Sequence, residues 1–160
     1  MPVFLAHAVA RWAEIYNGSA PLRTFVAFVH VAGLVGGGGA AVVADRATLI
    51  VTRRGSAVGR EQLEAIQNTH RLVVLGLAAV IISGLLLFAA DLETYAASRV
   101  FWTKMAMVGA LMINGAVLTR LGRRPAPADE RLRRSLRWAA AISLTLWFVT
   151  TLAGTALPNI

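Results

Sequence analysis

The chain has 160 residues, 57% of them apolar and only 15% charged, with a mean hydropathy of +0.63 and a net charge of +8. One domain is the natural size class, and a chain this short cannot hide four helices that are apolar all round inside a water-soluble fold. With no cysteine, structural disulfides, thiolate metal sites and a thiol nucleophile are excluded.

Residues 2–16 read as a short helix closed by Asn17-Gly18-Ser19 and Pro21. Trp12 and Tyr16 suit a membrane interface, so this helix is expected to lie flat on the outer surface. His7, Arg11 and Glu14 interrupt its apolar run and a basic start is missing, so it is not read as a cleavable signal. Four apolar stretches follow, at about 21–44, 72–90, 100–118 and 138–157. Each approaches the ~20 residues needed to cross ~30 Å of hydrocarbon.

The first stretch is expected to continue as helix past the bilayer to Arg53-Arg54-Gly55, with basic residues in its last turn and a glycine after them. A tight turn over 55–59 would make a hairpin with the second helix, whose Leu63, Ile66, His70 and Val73 share one face. Ser98 is a candidate N-cap for the third helix, which stops before Pro125-Ala126-Pro127. Asp129 is a candidate cap for the fourth.

Charge orients the spans. The connections at 45–71 and 119–137, with the basic start of the fourth helix, hold twelve of the sixteen Lys and Arg residues. The opposite face holds Arg11, Arg23, Arg99 and Lys104. Cytoplasmic loops collect Lys and Arg, which puts both termini outside the bacterial inner membrane. The pI of 11.6 follows from the same arginines, so anionic lipid explains it better than nucleic acid. The expected fold is all-α: a membrane-embedded four-helix up-down bundle with a short N-terminal interfacial helix, in one domain.

Several residues stand out within the spans. Gly33, Gly36 and Gly37 make small-residue rows that let another backbone come close, within the bundle or in a dimer, or leave room for a flat cofactor or lipid tail. His30 lies about eight residues into the first span, roughly 12 Å at helical rise. It reads either as a ligand or as a neutral histidine bonded to a carbonyl or a Ser/Thr hydroxyl. Lys104 either snorkels to the outer interface or binds an anionic group. Met105 and Met107, with His30 or His7, offer soft ligands to copper or an axial pair to haem b iron; packing is the plainer role. His70 belongs near the inner face, too far from His30 to share one iron. Asp45 with Arg71 or His70 makes an inner-end ion pair. Asn114 and Ser83 sit near mid-membrane, where an interhelical hydrogen bond is worth about 1 kcal/mol. Ser-His-Asp spacing, HExxH, paired intramembrane carboxylates and a dinucleotide fingerprint are all missing, so no enzymatic pattern is visible.

Pro21-Leu22-Arg23-Thr24, His30, Gly37–Gly39, Ala44-Asp45, Ser83-Gly84 and Phe101-Trp102-Thr103-Lys104-Met105 resemble small bacterial four-helix membrane proteins of unknown function. The Trp-x-Lys start and Asn114 are similar to copper-resistance D-type proteins and to membrane protoporphyrinogen-oxidase-type haem proteins. The fuller histidine set expected of the latter is missing. The resemblance spans about 21–122 and supports fold and location. The sequence therefore favours a non-enzymatic inner-membrane protein, an accessory subunit packing on other membrane subunits or on itself through its glycine-rich first helix. A small haem or copper redox protein with a site in the outer half is the alternative.

Overall fold

A computed structural model describes residues 3–54, 60–122 and 130–156. These are all-α. The helices are α1 (Val3–Gly18), α2 (Ala20–Gly33), α3 (Gly39–Arg54), α4 (Arg60–Ala90), α5 (Leu92–Ala97), α6 (Arg99–Gly122) and α7 (Glu130–Ala156), with a π-helical turn at Leu34–Gly38 between α2 and α3. Four segments are long and apolar enough to cross a membrane: Ala20–Thr52, Arg71–Ala90, Arg99–Leu121 and Glu130–Ala156. The side-chain distribution agrees with lipid as the solvent. Leu75 is 67% exposed, Ile113 69% and Phe148 67%, while the buried positions are largely Gly, Ala and Ser, the residues that let helices approach in a bilayer.

The turn Gly55–Gly59, the Pro125-Ala126-Pro127 stop and the Asp129 cap lie outside the described residues, as do the side chains of Arg53, Arg54, Leu63, Ile66 and His70.

The chain divides into two compact units. The first is Met1–Gly38 with Leu72–Ser98, and the second is Gly39–Arg71 with Arg99–Ile160.

In the first unit Ser19 caps α2 by accepting from the Leu22 N–H, and Pro21 stands in the first turn where its missing N–H costs nothing. This break turns the chain from α1 into α2, and α1 packs back on α2. The Trp12 indole N–H donates to the Leu86 carbonyl at 2.8 Å, which ties α1 to the C-terminal part of α4. Val3 and Phe4 stay 73% and 80% exposed. After α4, Asp91 caps the short helix α5 through the Thr94 N–H, and Ser98 closes it. Ser98 is thus the C-cap of α5, and α6 begins at the following residue. Tyr95, outside the spans, has its phenol pushed above the ordinary range by burial, then by Asp91 and Tyr16.

In the second unit α7 packs against both α6 and α3. Its buried face is Ala139, Ala140, Ser143, Trp147 and Thr150, a spacing of three and four that draws one stripe along the helix. Ala41, Phe101 and Leu111 are the buried apolar residues supplied by α3 and α6.

Candidate functional site

The tightest feature of the first unit is a crossing of backbones. A Cβ built on Gly37 would stand 2.8 Å from Cα of Gly76, and one on Gly33 would stand 2.9 Å from the Gly76 carbonyl oxygen. A Cβ on Gly76 would collide with the Gly37 backbone in turn. All three positions must therefore be glycine for α4 to lie this close to α2 and the π turn. Gly36 and Gly39 meet nothing within 4 Å, so of the sequence-predicted glycines, Gly33 and Gly37 come together on Gly76 and Gly36 does not. The run Gly36–Gly39 has little helix propensity, and the π turn falls across it.

One turn toward the N-terminus from Gly33, His30 meets α4. Its Nδ1 is 3.0 Å from Oγ of Ser83, and the Ser83 hydroxyl donates to the Ala79 carbonyl at 2.5 Å. With that hydroxyl proton directed to Ala79, Ser83 Oγ is able to accept from an N–H at Nδ1 of His30. Gly84 makes room for the ring, since a Cβ there would stand 3.3 Å from Cε1 of His30. Gly76 and Ser83 share one face of α4, seven residues apart, and present to α2 a stripe that receives first a backbone and then a histidine. Beside this stripe runs an apolar groove of about 220 Å³, lined in part by Phe25, Val29, Ile82 and Leu86.

The other sequence-predicted ligands are placed as follows. His7 is exposed on α1. Met105 is 37% exposed on α6, and Met107 is half-buried. Both methionines and Lys104 belong to the second unit, whereas His30 and His7 belong to the first. Among the described residues, no group of three or more His, Asp or Glu side chains could hold a metal ion. Lys104 lies over Gly154, where a Cβ would stand 3.3 Å from its Nζ. This places the ammonium at the last turn of α7, whose carbonyls carry the negative end of the helix dipole.

Polar contacts join helices in the second unit. Asn114 Nδ2 of α6 donates to the Ala139 carbonyl of α7 at 2.9 Å. Asp45 of α3 is buried and hydrogen-bonded to Ser143 of α7. Arg71, considered above as an ion-pair partner for Asp45, is exposed. Among the described residues the ion pair is Arg133–Glu130, within the first turn of α7.

Sequence reasoning missed Gly76, Ser143, Gly154 and the Trp12 anchor. Gly76 was within reach: Gly76, Ala79 or Val80, and Ser83 repeat at three to four residues as a small-residue face in the middle of an otherwise bulky span.

Taken together, the four apolar segments, their lipid-exposed bulky residues and the glycine and hydroxyl contacts between them define an all-helical integral membrane protein. The family model for negative regulator of sigma F matches residues 52–159. The chain belongs to that family, and it is a membrane-associated regulatory protein. No curated protein and no solved structure matches it.

Proposed function

We propose that the chain is a multi-pass protein of the bacterial cytoplasmic membrane that restrains a sigma factor by holding it at the cytoplasmic face. The observation that carries this reading is the family match, which takes in three of the four candidate spans. A sigma factor works in the cytoplasm, so its regulator must present a surface there. Charge supports which surface that is. The basic connections and the start of α7 gather twelve Lys and Arg residues, and the positive-inside rule puts them in the cytoplasm with both termini outside. The exposed arginines at the start of α7, among them Arg131 and Arg134, then face the partner. A surface of this sign selects an acidic patch and steers its approach.

The test is genetic. Deleting the chain should raise transcription from promoters of one sigma factor, and re-expression should lower it again. Replacing Arg131, Arg133, Arg134 and Arg137 together by Gln should leave the protein in the membrane but relieve repression. Unchanged transcription in the deletion strain would end this reading. Because the chain has no cysteine, single cysteines placed at Ser56 and Thr155 report topology cleanly. Labelling of Thr155→Cys from outside, with Ser56→Cys protected, is the expected pattern.

A further inference from the structure

Asp45 is an acid inside a candidate membrane span, only 6% exposed. Its carboxyl is hydrogen-bonded to Ser143, and its Oδ2 has no hydrogen-bond partner among the described residues. An ionised carboxylate in such a place needs a cation or several donors. The neighbours supply neither. On its own helix the adjacent Arg46 is exposed. On α7, the helix packed against it, the charged residues Glu130, Arg131, Arg133, Arg134 and Arg137 all precede Ser143 by six residues or more, roughly 9 Å at helical rise. On α6, which packs on α7, Arg99 and Arg120 are exposed and Lys104 lies over Gly154. Arg71 is exposed as well. Among the described residues, no charged group acts on the Asp45 carboxyl.

A metal cation is a poor occupant. One carboxyl and one hydroxyl fall well short of the six or so oxygens that hard cations take. A proton needs no such shell. We propose that Asp45, with Ser143, is a proton-binding site between α3 and α7, in which the acid is held neutral in the membrane and its proton is exchanged with water. The neutral acid satisfies the low-dielectric site and lets α3 pack on α7. Loss of the proton would leave an uncompensated anion there and loosen that contact. Asp45 lies outside the residues matched by the family model, so the inference stands or falls independently of the sigma-factor reading.

Linkage sets the sign. A native state that holds a proton more tightly than the unfolded chain loses stability as pH rises. The experiment uses the full chain purified in mild detergent. Infrared spectra at neutral pH should show the C=O stretch of a protonated carboxyl, shifted by deuterium oxide and absent from Asp45→Asn. The melting temperature of the wild type should fall from mildly acidic to mildly alkaline pH, and that fall should be lost in Asp45→Asn, which mimics the neutral acid. His70→Ala and Arg71→Ala should leave the infrared band in place. The proposal is overturned if the wild type shows no protonated-carboxyl band, or if the band survives in Asp45→Asn. Sodium raising the wild-type melting temperature while pH does not would also overturn it. Should Asp45→Asn fail to fold, the wild-type band and its response to the His70 and Arg71 variants decide the matter.

Discussion

The two units solve helix association in lipid by different means. In the first, Gly33, Gly37 and Gly76 carry no side chain at the crossing, so their backbones come into contact. In the second, α7 keeps its side chains and is held to α6 and α3 through Asn114, Ser143 and Asp45. Lipid tails are as apolar as leucine, so burying leucine between helices gains little. What remains is close packing or an interhelical hydrogen bond: the first unit adds the His30–Ser83 and Trp12–Leu86 contacts to its backbone crossing, and the second relies on polar contacts along α7. The first kind is intolerant of any added atom. The second is graded, since each bond contributes a modest amount.

This contrast is breakable. Gly76→Leu should have the largest effect, costing on the order of 3 kcal/mol or more, because the added atoms meet backbone that has no rotamer to escape into. Loss of the folded species in detergent by size-exclusion chromatography is the expected readout, and a native elution profile would contradict the crossing. Asn114→Ala and Ser83→Ala should each cost about 1 kcal/mol, seen as a lowered melting temperature with the fold retained. If either equals Gly76→Leu in severity, the graded picture of the polar contacts is wrong. Gly36→Ala should be neutral or stabilising by up to about 1 kcal/mol, since no neighbour stands within 4 Å and alanine favours helix. Gly37→Ala should instead destabilise, since its Cβ would meet Cα of Gly76 at 2.8 Å, which makes this adjacent pair the sharpest local comparison. The smallest effect belongs to Tyr95. Its phenol holds its proton above the usual range, so its contribution is complete below that range and is lost as pH rises through the native value. Tyr95→Phe should flatten the alkaline limb of the melting profile.

The sequence made the spans legible because hydropathy and arginine placement are properties of single segments. The ends of α1, the start of α4 near Gly59 and the run of the first helix to Arg54 also followed from local capping and glycine signals. The short helix α5 did not, because six residues between two spans are too few to show a helical period. The contacts were harder, since each needs two segments in register. Gly33 and Gly37 announced a close approach, but only the fold shows that Gly76 fills it. The sequence alone does not separate a ligand from a bonded histidine at His30, and the fold supplies Ser83 at 3.0 Å. The regulatory family carried no motif that residue chemistry could expose. No catalytic or metal-binding spacing stands out in this sequence, and the family match extends over residues 52–159.

The most direct test of the regulatory account is affinity purification of the full chain from detergent-solubilised membranes, with the co-purifying cytoplasmic proteins identified and quantified. The account predicts one sigma factor in near-equal amount, released by raised salt and absent when the four α7 arginines are replaced by Gln. A sigma factor that stays wholly in the soluble fraction, in cells where the chain is present and folded, would contradict it.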